Sequence, residues 1–188
     1  MYAAASQIKY LYLAYLSAPA CDRTIYRLIR KRRIASIVEL GLGPGKRAVR
    51  MIQVAQSSRL PAKAGQVRYT GIDEFELRSP QAGPGLSLKD AHRLLRATTA
   101  KVQVVPGDPR TALTRVANTL TNTDLVIISG GHDPESLQQA WFYIPRMLHD
   151  QSLVFVEERT CAGPPQRLRL VPRDEVEALA AQTRRRAA

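Results

Sequence analysis

The chain has few cysteines and few aromatic residues, and it contains no long apolar run. Cys21 and Cys161 are its only cysteines, and neither belongs to a pattern with metal-ligand spacing. Two isolated cysteines fit a reducing compartment better than a disulfide scaffold. No apolar stretch approaches the roughly 20 residues that a membrane-spanning helix needs. We therefore expect a cytoplasmic protein with no membrane partner.

Acidic residues are also scarce. The chain has 16 Asp and Glu against 28 Lys and Arg, which gives a net charge of +12. This excess favours anionic partners such as nucleic acid, phosphorylated metabolites or a membrane surface. The basic residues concentrate at 23–33 and 184–186, and they do not form a motif in which basic and aromatic residues are interleaved. A solvated helix face and a charged tail explain them too, so nucleic acid stays an open partner.

The N-terminus has some features of a secretory signal. Tyr10–Leu16 is apolar, and residues 18–20 have the A-x-A form of a cleavage site. However, the run is short, contains three tyrosines and is preceded by Lys9 alone. The apolar residues Ile8, Leu11, Tyr12 and Tyr15 have helical spacing. We therefore expect an amphipathic helix over 6–17 rather than a signal peptide.

The rest of the chain alternates between strand and helix patterns. Apolar runs predict strands at 34–40, 67–72, 102–105, 125–128, 153–156 and 167–171. Helical spacing predicts helices at 22–33, 46–58, 87–98, 109–120, 134–149 and 173–186, with Asp22 and Asp108 as N-caps. This alternation predicts an α/β fold, a Rossmann-like, doubly wound and mostly parallel sheet with helices on both faces. The length suits one domain: N-terminal helices at 1–33, a core at 34–158, and a strand and helix at 159–188.

A glycine-rich turn follows the first predicted strand. Glycine permits positive φ and a close approach of ligand to backbone, and doubly wound folds bind nucleotide-type ligands at this position. A dinucleotide-binding fingerprint would need glycine in place of Lys46. A P-loop would need glycine in place of Leu40 and a hydroxyl residue in place of Arg47. The remaining pattern consists of an acid and three alternate glycines, Glu39, Gly41, Gly43 and Gly45.

This pattern resembles motif I of the class I S-adenosylmethionine-dependent methyltransferases, E/D-x-G-x-G-x-G. The resemblance extends over residues 22–158 and implies that S-adenosylmethionine is the cofactor. It also implies that the three glycines bind the cofactor and that Glu39 lies near its methionyl amine.

Two further acids match the family pattern in position. In the family, an acid at the end of the second strand binds the ribose hydroxyls, which implies this role for Asp73, with Glu74 as a neighbour that could substitute. An acid after the third strand meets the adenine amino group, and Asp108 stands there. A loop acid or a simple helix cap explains these positions as well.

The stretch Asp124–His132 is similar to one branch of that family, which includes macrocin O-methyltransferases and cephalosporin hydroxylase-like proteins. In that branch the fourth strand ends in Asp-Gly-x-His and the aspartate coordinates a divalent metal, whereas this chain has Ser129. Glu157 and Glu158 follow the fifth strand, but a hard-metal site without the first carboxylate lacks a main ligand. We therefore expect no catalytic metal, and we assign Ser129 to the cofactor-binding residues.

His132 follows the fourth predicted strand and is the candidate general base, since an unperturbed histidine has a pKa near 6.5. A surface-loop histidine beside the helix cap Asp133 is the alternative. His92 and His149 lie in predicted helices.

The sequence thus indicates a metal-independent methyltransferase acting at O or N of a small or medium-sized acceptor. Two alternatives stay open, namely an RNA or other nucleic-acid methyltransferase and a non-catalytic cofactor-binding or assembly module. A homodimer is a further expectation, because the short C-terminal segment leaves a sheet edge uncovered.

Overall fold

The computed structural model of the chain describes residues 2–58, 65–78, 85–158 and 167–187. Its helices within these ranges are α1 (Tyr2–Leu11), α2 (Asp22–Arg32), α3 (Lys46–Ser57), α4 (Leu88–Arg96), α5 (Pro109–Val116), α6 (Pro134–Ala140), α7 (Ile144–Met147) and α8 (Arg173–Ala187). Its strands are β1 (Ser36–Leu40), β2 (Arg68–Asp73), β3 (Lys101–Pro106), β4 (Thr123–Ile128), β5 (Leu148–Glu158) and β6 (Arg167–Val171). A π-helical turn, Tyr12–Leu16, continues α1. No helix among these described residues is long and apolar enough to cross a membrane.

The strands form one sheet in the order β3-β2-β1-β4-β5-β6. All pairs are parallel except β5 with β6, which is antiparallel. The direction of the strand order reverses between β1 and β4, where Leu40 pairs with Ile128. At such a point the connecting loops diverge and leave a crevice at the carboxyl ends of the strands. The predicted fold class is therefore confirmed, and the crevice is where a ligand site is expected.

Helices cover both faces of the sheet, and each face has its own apolar core. Alternate side chains along a strand point to opposite faces. On β4, Leu125 and Ile127 pack beneath α2, α3 and α4, whereas Val126 and Ile128 pack beneath α5, α7 and α8. Because both faces are covered, all five residues of β1 are buried.

The predicted helix at 134–149 is wrong. The structure ends α6 at Ala140, and a separate short helix, α7, contains Pro145 in its first turn. Proline has no N–H for the helical ladder and clashes with the preceding turn, so one helix cannot run through this position. As a result, His149 lies in β5, where its Nε2 is 3.0 Å from the Asp124 carboxylate.

The two predicted N-caps have different outcomes. Asp108 caps α5, and its side chain accepts hydrogen bonds from the backbone N–H groups of Arg110 and Thr111. Asp22 is instead the first helical residue of α2, and the cap position belongs to Cys21, which makes no side-chain cap. The Asp22 side chain is buried and accepts a hydrogen bond from Tyr26 Oη, so it faces the interior.

Candidate functional site

A cleft of about 380 Å³ opens where the carboxyl ends of β1, β2 and β4 meet the start of α3. Pockets of a few hundred Å³ are typical of small-molecule sites. Of the nine residues assigned to a site from the sequence, the cleft brings together Gly41, Gly43, Asp73, Glu74, Ser129 and His132. The other three do not line it.

The glycine turn forms the floor of the cleft. Gly41 has a φ of +85°, and its N–H donates to Ile72 O at 2.8 Å. A Cβ at Gly41 would lie 2.9 Å from Ser129 Cβ and 3.0 Å from His132 Nε2. Any side chain here would therefore collide with the loop after β4, in a backbone conformation that side chains disfavour.

Gly45, which was expected to bind the cofactor, serves the packing of the fold instead. Its φ is +72°, and a Cβ there would lie 2.6 Å from Leu94 Cδ2 and 2.9 Å from Leu86 Cδ1. It is not among the described residues that line the cleft. The third glycine of the pattern thus allows α3 to begin close against α4.

Asp73 anchors the end of β2 to the glycine turn. Its side chain is buried, and Oδ2 accepts a hydrogen bond from Gly43 N at 3.1 Å, while Oδ1 accepts one from Phe75 N at 3.3 Å. The Arg78 guanidinium forms an ion pair with the same carboxylate. The buried Nε of Arg78 has no hydrogen-bond partner among the described residues. The Asp73 carboxylate is thus a fixed hydrogen-bond acceptor in the cleft, and the Arg78 guanidinium is paired with it.

Glu39, which the resemblance places near the methionyl amine of the cofactor, does not line the cleft. Its side chain is fully buried, Oε1 accepts a hydrogen bond from Arg47 Nε at 2.7 Å, and Oε2 accepts one from Tyr69 Oη. Burial raises the pKa of Glu39, and the neighbouring Arg47 and Tyr69 oppose that shift. Both acceptor oxygens are engaged inside the protein, so Glu39 is not available to a ligand amine.

Arg47 is the residue that sequence reasoning missed. From the start of α3 it extends along the cleft wall, with Nη1 3.1 Å from Glu157 Oε2 and 3.6 Å from Asp22 Oδ1. Burial alone would lower the pKa of Arg47, but Glu39, Asp22 and Glu157 together raise it. The cleft wall therefore has a charged guanidinium that pairs with three carboxylates. These belong to Asp22 on α2, Glu39 on β1 and Glu157 on β5.

The end of β4 contributes Ser129 and His132. The Ser129 hydroxyl contacts Arg47 Nη2 and donates to Gly41 O at 2.7 Å. His132 Nε2 is buried and has no hydrogen-bond partner in the described part of the chain. Burial lowers the pKa of His132, against the opposing effects of the Leu40 backbone and the charge of Asp73. Burial thus favours the neutral imidazole, whose Nε2 has no partner among the described residues.

Asp108, the expected adenine contact, turns out to be a helix cap. Oδ1 accepts hydrogen bonds from Arg110 N at 3.0 Å and Thr111 N at 3.2 Å, and the Ser136 hydroxyl also donates to it. Burial would raise the pKa of Asp108, but these hydrogen bonds outweigh it and lower the pKa. The neighbouring Gly107 lines the cleft in its place.

Among the described residues, no three His, Cys, Asp or Glu side chains are grouped so that they could hold a metal ion. Asp22, Glu39 and Glu157 all approach one point, but the Arg47 guanidinium occupies it.

No protein-family model matches the chain, and a search of the curated proteins found no match. Solved structures do match. A proposed caffeoyl-CoA O-methyltransferase from Staphylococcus aureus has a TM-score of 0.54 at 14% identity, over 90% of this chain and 73% of that one. The O-methyltransferase TomG from Streptomyces achromogenes, involved in tomaymycin synthesis and solved in complex with SAM, has a TM-score of 0.52 at 16% identity, over 91% and 68%. A proposed O-methyltransferase from Klebsiella pneumoniae has a TM-score of 0.52 at 14% identity, over 98% and 76%. The chain therefore has the Rossmann-like fold found in these methyltransferases.

Proposed function

We propose that this protein is an S-adenosylmethionine-dependent methyltransferase that needs no metal and acts at O or N of a small or medium-sized acceptor. The junction of the glycine turn with Asp73 carries the proposal. There, Gly43 N–H holds a buried carboxylate at the end of β2, beside a turn with no space for a side chain at Gly41. This junction lies at the switch point of the sheet, where folds of this kind bind their ligands.

Asp73 and Glu74 would hold the cofactor ribose. A carboxylate offers two acceptor oxygens, which suits two vicinal hydroxyls. Since Arg78 now pairs with Asp73, ribose binding requires the guanidinium to turn away or to share the carboxylate. The unpartnered Nε of Arg78 favours this exchange, because a buried donor without an acceptor is destabilising.

We assign the remaining cofactor groups to residues other than those that the sequence suggested. Gly107 rather than Asp108 reaches the cleft after β3, so its backbone is the candidate contact for the adenine. Asp22 and Glu157 replace Glu39 as candidates for the methionyl ammonium, because both line the cleft and Glu39 does not. Both are held in place by Arg47.

The cofactor, when bound, supplies an electrophilic methyl group on a sulfonium sulfur. That methyl group would pass to a lone pair on the acceptor O or N, and the electrons of the carbon–sulfur bond would stay on sulfur. His132 Nε2 takes the acceptor proton, since this nitrogen is neutral and has no partner within the described structure. Fixed positions for donor and acceptor lower the barrier further, by up to roughly 7–11 kcal/mol.

Metal independence follows from the charges on the cleft wall. Arg47 already provides a cation between Asp22, Glu39 and Glu157, and Ser129 is neutral. We therefore expect excess EDTA to leave turnover unchanged in a coupled assay that detects S-adenosylhomocysteine. A loss of activity that added Mg²⁺ restores would show that a metal is required.

The proposed site is tested by calorimetric titration with S-adenosylmethionine and S-adenosylhomocysteine. We expect binding in the micromolar range for the native chain and none for Gly43→Val, whose side chain would occupy ligand space. Gly65→Val is the matched control, because a Cβ at this exposed position has no heavy atom within 4 Å. Circular dichroism establishes that both variants fold. Equal affinities in folded Gly43→Val and in the control would refute the site.

A further inference from the structure

The N-terminal helix presents an apolar stripe to solvent. The stripe consists of Ile8, Leu11, Tyr12, Tyr15 and Leu16, which are 69%, 53%, 50%, 53% and 70% exposed. Their spacing, i, i+3, i+4, i+7 and i+8, is the spacing that normally turns toward a core. Here Leu13 and Ala14, on the opposite face, are the buried ones. In the rest of the described chain, only Leu77 and Leu170 are large hydrophobic residues that are comparably exposed.

Basic side chains flank this stripe. The Arg27 guanidinium lies 5.8 Å from the centroid of the Tyr15 ring, and that of Arg30 lies 4.1 Å from the Tyr10 ring. Lys9, which is exposed, projects from α1 itself, and Lys31 is exposed on α2. Within the described residues, the exposed large hydrophobic side chains are thus concentrated on this stripe, beside Lys9, Arg27 and Arg30.

We propose that the stripe docks on an anionic phospholipid membrane surface. Aliphatic side chains inserted at the boundary of headgroups and acyl chains, with lysine and arginine beside them, are how amphipathic helices lie on membranes. Tyrosine suits the same boundary because its ring is apolar and its hydroxyl is polar. This attachment differs from a membrane span, and it departs from the sequence expectation of no membrane partner.

Two other occupants of the stripe fit less well. A symmetric dimer would place the same patch against itself and bring Arg27 and Arg30 near their own copies. RNA would stack on the tyrosines, but Ile8, Leu11 and Leu16 offer neither a stacking ring nor a hydrogen-bond donor. Charge complementarity together with aliphatic exposure therefore selects anionic lipid.

The stripe also adjoins a path to the cleft. Tyr12 and Lys9 line a groove of about 700 Å³ with Leu13, Val49, Leu86 and Leu94. This groove shares Pro44, Lys46 and Arg50 with the cleft. A bilayer on the stripe would therefore lie beside a groove that borders the cleft. The idea that the methyl acceptor comes from the bilayer rests on the proposed function, whereas the proposal of membrane binding does not.

Sedimentation with large unilamellar vesicles tests the proposal without cofactor. We expect the native chain to bind vesicles of phosphatidylcholine with about 30 mol% phosphatidylglycerol, and to bind phosphatidylcholine alone at least about tenfold more weakly. The double variant Ile8→Ser with Leu16→Ser should lose about tenfold in partitioning. Leu77→Ser with Leu170→Ser is the matched control and should bind as the native chain does. All four leucine or isoleucine positions are exposed, so folding is expected to survive.

Charge reversal separates a docking face from general attraction to a basic protein. Arg27→Glu with Lys31→Glu should reduce vesicle binding at least about fivefold, whereas Arg184→Glu with Arg185→Glu changes the net charge equally and should reduce it less than about twofold. Equal losses in both pairs, or no vesicle binding by the native chain, would overturn the proposal. So would a dimer in light scattering that the Ile8 and Leu16 substitutions dissociate, or RNA binding that they abolish.

Discussion

The two ends of the cleft differ in how an arginine is paired with carboxylates. At the β2 end, Arg78 pairs with Asp73, and its Nε has no partner in the described structure. At the β4 and β5 end, Arg47 joins carboxylates from three separate elements and also contacts Ser129. An arginine with one carboxylate can be exchanged for a ligand, whereas an arginine that neutralises three buried carboxylates cannot leave. The pair of Asp73 and Arg78 is therefore the exchangeable end of the cleft, and the cluster of Arg47 with its three carboxylates is the fixed end.

Removal of Arg47 should have the largest effect on stability, and it tests the fixed end of the cleft. In Arg47→Leu, Asp22, Glu39 and Glu157 keep their burial but lose their cation. Loss of one partner from a buried ion pair destabilises a protein by about 3–5 kcal/mol, so we expect a loss of at least this order in the free energy of unfolding. Urea denaturation followed by circular dichroism measures it.

Arg50→Leu is the control for that substitution. Arg50 lies one turn further along α3, and its Nη1 donates to Ala18 O at 2.8 Å near the surface. We expect a loss of no more than about 1 kcal/mol, which is typical of one hydrogen bond. If Arg47→Leu and Arg50→Leu lost the same free energy of unfolding, the ion pairs of Arg47 would not stabilise the fold as proposed.

Removal of Arg78 should have a smaller effect and tests the exchangeable end. In Arg78→Ala, Asp73 keeps the N–H donors of Gly43 and Phe75 and no longer has a competing cation. We expect the affinity for S-adenosylhomocysteine to rise about three- to tenfold, or up to about 1.4 kcal/mol, in calorimetric titration. Arg78→Lys retains a cation near Asp73 and should show no such gain. A weaker affinity in Arg78→Ala would mean that the arginine itself contacts the ligand.

The sequence predicts the fold better than it predicts the site. β-branched runs and helical spacing are local signals, and they identified every strand of the described sheet. The break before Pro145 was also visible locally, because proline ends or bends a helix. The partners of Arg47 were not visible, since Asp22, Glu39 and Glu157 are distant in sequence and meet only through the sheet.

The position of Glu39 shows why a motif does not fix a contact. In a strand buried on both faces, the alternation of apolar and polar residues is lost, so the pattern does not say which way a polar side chain points. Gly41 and Gly45 differ for a similar reason, because both have positive φ but only one faces the cleft. The spacing of the glycines thus predicted the shape of the turn, and tertiary packing decided the role of each residue.

His132 lies between the two ends, and its titration should give the smallest effect. Burial lowers the pKa of this side chain in the folded state, whereas the unfolded chain titrates near 6.5. The unfolded state therefore binds more protons near pH 6, and the contribution of His132 to stability, present above the unfolded pKa, is lost as pH falls through the folded pKa. We expect urea unfolding at pH 7.5, 6.5 and 5.5 to show a shallower decline of stability for His132→Asn than for the native chain. Identical slopes in the two proteins would mean that burial does not favour the neutral form of His132, and the proposed role of this residue as proton acceptor would lose its support.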